Sequence, residues 1–312
     1  MSDISLLKKV EEFDKPWCYQ YQRKLDTLEE DKKELGWTDE DIENIDINDF
    51  EFRYIDSKEE KIRCKEFIEK YEWMGKLSQF NTHYFQALYK WHLACVNIFN
   101  MPNAFSKMLG EDTKNIERLI SRGAAASWCP KNLNSKFLMW CMKWMVQNTQ
   151  YRLFTCYSDP TCGESGIIYQ SLGFYLVQKN AGTTIRCVNP FNDNVLVSDR
   201  AFRSRSYYKK YAKLLGIEWQ PNWNTDQSIL WENIPEDIEK QLRDKSKEMY
   251  KNAKKITFPP KLKWAYVLGK DKKETRELRK KFEEMNKIYS YDEAKKFRED
   301  FINRQKEKWQ KN

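Results

Sequence analysis

The stretch Tyr151-Arg-Leu-Phe-Thr-Cys156-Tyr-Ser-Asp159-Pro-Thr-Cys162-Gly163-Glu-Ser-Gly166-Ile-Ile-Tyr169-Gln-Ser-Leu-Gly173-Phe-Tyr-Leu176 decides the fold. Its opening is apolar, aromatic and β-branched, the composition of a buried strand. Pro160 cannot donate to a ladder and ends it. Gly163 and Gly166 then occupy a short polar loop. Ile167, Ile168, Ser171 and Leu172 follow at helical spacing, and Gly173 reads as the stop. A glycine loop between strand and helix aims backbone N–H groups outward at the positive end of the helix, which suits a phosphate or pyrophosphate. The same residues read equally well as an ordinary strand-to-helix turn, because two glycines are a weak signal.

Working outward, residues 50 to 55 alternate as a strand does, and Asp56 or Ser57 can cap a helix through Ile62, Phe67, Ile68 and Tyr71. His83 and Tyr84 read as a polar-aromatic loop, and residues 86 to 100 as two strands turning near Lys90. The run Ile116 to Arg122 leads into a strand at Ala124 to Trp128. Asn134 or Ser135 then caps an amphipathic helix with Phe137, Leu138, Cys141, Met142, Met145 and Val146 facing inward. Downstream, residues 183 to 188 and 195 to 197 read as short strands around an Asn-Asp-Asn turn, residues 235 to 253 as a charged helix, and residues 263 to 268 as a late strand.

No run of about 18 apolar residues exists, so no membrane span is expected, and the N-terminus lacks the apolar core of a signal peptide. The 8 cysteines are scattered, with no CxxC pair, which suggests reduced thiols in a cytoplasmic protein. Net charge is +8 but unevenly placed: residues 1 to 48 carry 7 basic and 14 acidic groups. Those residues read as an acidic helical extension, patterned by Leu6, Val10, Phe13, Tyr21, Leu25 and Leu28, and either solvated or partner-facing. A capping box is expected at Thr38. From Lys270 onward a helical tail carries 15 basic and 10 acidic groups. The basic body favours a polyanion such as nucleic acid.

The segment Arg200 to Lys213 interleaves six cations with four aromatics over fourteen positions. Arginines can fork onto phosphates and rings can stack on bases, so Arg200, Arg203, Arg205, Lys209 and Lys210 are candidate DNA contacts, with Lys261 and Lys263 further on. A helix with a solvated basic face is the alternative, and nucleic acid is favoured because the aromatics are not confined to one helical face.

The element order and the sequence Tyr169-Gln-Ser-Leu-Gly-Phe174 after the glycine loop resemble the GNAT acyltransferases. Four segments together are similar to the Mom family of phage DNA-modification proteins, a GNAT-like branch. They are Thr82-His83-Tyr84; Glu117 to Arg122 with Lys131-Asn132 and Ser135; Tyr157-Ser-Asp159 with Gly166-Ile-Ile-Tyr169-Gln170; and Pro260-Lys261-x-Lys263-x-x-Tyr266-Val267. The resemblance covers about residues 50 to 270. It implies an α+β fold, with a mixed, mostly antiparallel central sheet flanked by helices and helical extensions at both termini. Residues 1–48 are then the N-terminal extension, 49–269 a catalytic domain with a basic insertion at about 198–258, and 270–312 the charged tail.

The implied activity is addition of a methylcarbamoyl group to adenine N6 in DNA, protecting it from restriction in the host cytoplasm. The implied donor is an acyl-CoA such as acetyl-CoA, held by Tyr157, Cys162, Gly163, Glu164, Ser165 and Gly166. An iron requirement has also been proposed for the family, and His83 with Asp159 or Glu117 is the available ligand set. The adenine amine is a poor nucleophile, so a base must remove its proton and donors must meet the developing charge. Asp159 is the candidate base or orienter, or else a turn residue before Pro160, and Tyr169 the candidate general acid or substrate hydrogen-bonder, or else an aromatic packed on the sheet. His83 and Tyr84 are candidates for contacting adenine, and Ser135, otherwise an N-cap, is raised to a candidate by the resemblance alone. Two alternatives stand: a GNAT N-acetyltransferase acting on a protein, tRNA or small amine, and a non-enzymatic nucleic-acid-binding protein on that scaffold.

Overall fold

A computed structural model of the chain describes residues 2–3, 19–77, 81–102, 104–113, 115–182, 185–226, 228–257, 260–296 and 299–300. The chain divides into two compact units, Lys15–Ala181 with Lys261–Asn312, and Gly182–Pro260 with Met1–Asp14. In chain order the strands of the larger unit are β1 (Glu51–Ile55), β2 (Asn81–Tyr89), β3 (His92–Asn100), β4 (Glu117–Ala125), β5 (Leu153–Ser158) and β6 (Tyr175–Ala181). The smaller unit holds β7 (Ile185–Asn189), β8 (Asn192–Val197) and β9 (Lys255–Thr257), and β10 (Lys261–Val267) returns to the larger one.

The fold is mixed α+β. Seven strands pair in the order β1-β2-β3-β4-β5-β10-β6, antiparallel throughout except between β4 and β5. Helices cover both faces. Phe85 meets Trp140 and Trp144 of α4 (Leu133–Asn148), while its neighbour Gln86 donates to Glu60 of α3 (Lys58–Tyr71) at 3.2 Å. Successive strand residues point to opposite faces, so the two helices lie on opposite sides. Ser57 caps α3, accepting from Glu60 N, and α3 buries Cys64, Phe67, Ile68 and Tyr71. The inward stripe expected of α4 is buried. Its N-cap, however, is Asn132, held at φ 69°, rather than Asn134 or Ser135.

Two further expectations shift. His83 and Tyr84 lie inside β2, paired with Phe99 and Ile98, because the alternation that marks a strand begins before Gln86. The strand expected at Ala124 to Trp128 is instead Glu117–Ala125.

The parallel pair is short. β4 and β5 align only at Glu117↔Leu153, Arg118↔Phe154 and Leu119↔Thr155. β4 stays paired with β3 as far as Ala125, and the register shift between Ile98 and Phe99 leaves Ser121 as an extra residue. A bulge bends its strand. From residue 120 on, β4 therefore parts from β5, and the sheet opens between residues 120–125 and 156–158.

The smaller unit is a sheet of β7, β8 and β9 with Ser2–Asp3 added beside β8. Its β7–β8 turn falls at Pro190 and Phe191, ahead of the Asn-Asp-Asn run. Helices α6 (Arg205–Leu214) and α7 (Glu236–Asn252) belong to this unit. The chain leaves the larger sheet at Ala181 and re-enters at Lys261, and these two residues are direct cross-strand partners.

The acidic arm, from residue 19 on, is docked rather than solvated; Leu6, Val10 and Phe13 lie outside the described residues. In α1 (Tyr19–Leu35), Asp31 is 1% exposed, accepts from Tyr71 Oη at 2.7 Å and pairs with Lys70 Nζ at 3.0 Å. Arg23 Nε donates to the Lys70 carbonyl at 2.6 Å. The capping box at Thr38 is present, opening α2 (Asp39–Glu43). In the tail, α8 (Lys272–Met285) is capped by Asp271 and seats buried Phe282 on Tyr175.

Removing a buried carboxylate strands the groups that served it. Asp31→Ala is expected to cost about 2 kcal/mol in urea unfolding, whereas the more exposed Glu34→Ala should stay within about 0.5 kcal/mol. Equal effects would show that the arm is not held through Asp31.

Candidate active site

The opening of the sheet leads into the loop that follows β5. Pro160–Cys162 forms one turn of 3-10 helix, Gly163 and Gly166 take positive φ (75° and 76°), and α5 (Ile167–Ser171) begins. Trp264 of β10 lies under this loop. Its indole N–H donates to Ser158 Oγ at 3.0 Å, and a Cβ on Gly166 would stand 2.4 Å from its Cζ2. Glycine at 166 is thus required twice, by backbone conformation and by contact with the indole.

Glu164 turns inward. Its carboxylate accepts from Trp73 Nε1 at 2.8 Å and from the backbone N–H of Asp159 at 2.9 Å, and burial pushes its pKa up. Asp159 is only 15% exposed and pairs with Lys261 at 2.8 Å. Tyr169 packs beside Trp264 and Phe174 and is hydrogen-bonded to the Cys156 thiol. Burial raises its phenol well above the ordinary range, so it holds its proton and stays available as a donor. Lys263 faces Tyr157 across the β5–β10 ladder, 5.8 Å from its ring centroid, and burial lowers its ammonium pKa.

A second cluster surrounds His83. Its Nδ1 lies 2.8 Å from Thr82 Oγ1, and its ring meets Tyr54 and, edge-on, Tyr151. Arg118, 9% exposed, lies over the Tyr151 ring at 3.7 Å and donates to the Tyr151 hydroxyl. Burial, then Arg118 and Lys61, push the His83 pKa down to about 4. Tyr84, next in the strand, takes Lys61 over its ring at 5.9 Å. Ser135 stands in the first turn of α4, donating to the Asn132 carbonyl at 2.9 Å, while its neighbour Asn134 reaches Asn97 and Cys95.

The structure therefore gathers Asp159, Tyr157, Cys162, Gly163, Glu164, Ser165, Gly166 and Tyr169 at the end of β5. His83, Tyr84 and Ser135 stand on other elements, and no contact links them to Asp159 among the described residues. The carboxylate–histidine metal site is corrected by the surroundings of His83, which are aromatic and cationic. Glu117 is taken up by Thr155 Oγ1 and Ser106 N at 2.6 Å each, and Asp159 by Lys261. Among the described residues no three His, Cys, Asp or Glu side chains are grouped to hold a metal ion.

The basic segment needs a correction too. Phe202, Tyr207, Tyr208 and Tyr211 are 1%, 7%, 4% and 0% exposed and form the core of the smaller unit. They cannot stack on bases without unfolding it. Arg200, Lys209 and Lys210 are exposed, with Lys209 and Lys210 lying over the Trp219 and Phe191 rings. Arg203 pairs with Asp199 at 2.9 Å, and Arg205 donates to the Thr225 carbonyl. Sequence reasoning missed the inward Glu164, the buried Arg118, the Lys261–Asp159 pair and Trp264 beneath Gly166; each depends on a partner about 30 to 100 residues distant, which no local spacing reveals.

Whether the loop suits a pyrophosphate can be judged from its donors. The backbone N–H groups of Ser165, Gly166, Ile167, Ile168 and Tyr169 have no acceptor among the described residues. A run of free N–H groups at a helix start fits an anion.

The Mom protein family matches residues 49–290. No curated protein matches the chain. Among solved structures, a Bacillus subtilis acetyltransferase in complex with CoA is similar at 9% identity, covering 70% of this chain and 99% of its own, with a TM-score of 0.32. A GNAT family acetyltransferase from Elizabethkingia anophelis with acetyl-CoA bound is similar at 10% identity over 70% and 99%, with a TM-score of 0.31. The ribosomal-protein-S18-alanine N-acetyltransferase of Escherichia coli is similar at 13% identity over 47% and 88%, with a TM-score of 0.29. The strand order and register, not these distant likenesses, carry the description of the fold.

Two outcomes follow from this geometry. Gly166→Ala should cost about 2–4 kcal/mol, strain plus overpacking, against about 1–2 kcal/mol for Gly173→Ala, which has positive φ but nothing within 4 Å. Equal losses in chemical denaturation would remove Trp264 from the account. For His83, a folded pKa of about 4 against 6.5 means that the unfolded chain takes up the proton first. The group costs nothing above pH 6.5, and stability falls as pH drops from 6.5 toward 4. Urea titrations at pH 7 and pH 5 should show a smaller loss in His83→Asn; an unchanged loss would place the titration elsewhere.

Proposed function

The chain belongs to the Mom protein family, and on that premise we propose that it is an acyltransferase modifying the exocyclic amine of adenine in DNA, from an acyl-CoA donor. The observation that carries this reading is the parallel pair that holds for three positions and then opens beside a loop with free N–H groups. When bound, the donor would supply an activated acyl carbon, its pyrophosphate held by the backbone N–H groups of Ser165 to Ile168.

The residues of the chain then divide the remaining work. Asp159 Oδ would accept the amine proton as the N–C bond forms and the thioester C–S bond of the donor breaks, the CoA sulfur leaving as the thiolate, and Lys261 holds that carboxylate in place beforehand. Tyr169 keeps its proton and fixes the loop through Cys156 and Trp264. His83, neutral at pH 7, packs on Tyr151 at the opposite end of β5 from Asp159 and is assigned no contact with the amine. The adenine must leave the base stack to reach such a site. Exposed Arg200, Lys209 and Lys210 are assigned to phosphate contacts.

Nucleoside mass analysis of DNA from cells expressing the protein tests this directly. A product of adenine heavier than its methylated form is expected, and its rate of formation should fall at least about a hundredfold in Asp159→Asn, the loss typical of a positioned base. Unmodified DNA alongside folded protein would remove DNA as acceptor, and acetylated protein or small amines in the same extract would favour the N-acetyltransferase alternative.

A further inference from the structure

A cleft of about 940 Å³ lies in the larger unit between the end of α4, the turn after β10 and the start of α8. Lys143, Lys270, Lys272 and Arg276 line it, all are exposed, and none has an ion-pair partner among the described residues. Its two acids are already engaged: Asp271 caps α8, accepting from Glu274 N at 2.8 Å, and Glu283 accepts from Tyr175 Oη at 2.7 Å. With Arg279 and Lys280 the lining carries six cations against these two acids, an excess of four positive charges and a concentrated positive field.

We infer that this cleft is a second phosphate-backbone contact for duplex DNA, remote from the reacting base. The inference rests on the DNA acceptor proposed above but assigns it a surface that the basic segment of the smaller unit does not include. Charge complementarity supports it, since Lys272 and Arg276 are one helical turn apart on α8 and face the same cleft as Lys143 and Lys270. A membrane surface fits less well: the apolar lining residues Val146, Tyr175 and Leu268 are not exposed, so the cleft offers no anchor for acyl chains. The helix start itself does not hold the anion, because Asp271 and Glu274 already close it.

The cleft stands at the far end of β10 from Asp159. Lys261, which holds Asp159, begins the strand, and Gly269 and Lys270 follow its end. At about 3.4 Å per residue the separation is roughly 25 Å, less than one duplex turn of about 34 Å. A duplex spanning that distance would reach both.

Fluorescence anisotropy of a 20-base-pair duplex, titrated with salt, is the test. Lys272→Glu with Arg276→Glu should reduce the slope of log affinity against log salt by about 1.8, two phosphate contacts at about 0.9 each. Lys58→Glu with Lys65→Glu, an exposed pair on α3, should change it less. If the unaltered protein binds duplex but the cleft pair keeps its slope, this surface is wrong while the DNA acceptor stands. If the unaltered protein has no salt-dependent affinity for DNA, both fall. If the cleft pair keeps its DNA slope yet loses binding to phosphatidylglycerol vesicles, the cleft serves a membrane and the inference is overturned.

Discussion

The Trp264 indole under Gly166 is the contact on which the candidate site depends. A strand of the sheet places a large, buried ring directly against a loop backbone that only glycine allows to come so close. The indole hydrogen bond to Ser158 fixes the ring laterally, and Tyr169 packs against the same ring. The loop therefore inherits the rigidity of β10, and its N–H groups point from a platform rather than from a loose turn. Pre-positioned dipoles need not reorganise when charge arrives, which is the usual source of their advantage.

Charge around the opening is arranged in opposed pairs. Glu164 is drawn in to serve a backbone N–H and an indole, while Asp159 is neutralised by Lys261. On the α4 face, Arg118 has no carboxylate partner and its Nε no acceptor among the described residues, and it sits near a histidine kept neutral. Burying a guanidinium without a carboxylate is costly, and the Tyr151 ring and hydroxyl with the Glu117 carbonyl are what receive it.

Much of this architecture was legible in the chain. The β5–loop–α5 unit, the inward stripe of α4, the Lys90 turn and the Thr38 capping box are short-range patterns, and each formed as its residues dictate. What failed was long-range. The rings of residues 202 to 211 looked scattered because a 3-10 turn ending at Arg203 precedes the helix, so a single helical wheel could not place them on one face. His83 and Tyr84 looked like a loop because their polarity suits an exposed segment, yet pairing with Phe99 and Ile98 of β3, and of Tyr84 with Ile55 of β1, makes them strand. Of the site, the glycines and Asp159 were visible, whereas their tethers came from Trp73, Lys261 and Trp264, far along the chain.

Ala181 and Lys261 are cross-strand neighbours, so seventy-nine residues enter and leave through a single rung of one ladder. Such an attachment makes the smaller unit a cassette. Residues 182–260 could be swapped for another segment of different size, or shortened to a hairpin turn, at the loss of the Ser2–Asp3 pairing but without altering the register of the seven-stranded sheet. Divergence in what the chain recognises can therefore proceed in that cassette while the sheet and its loop remain untouched.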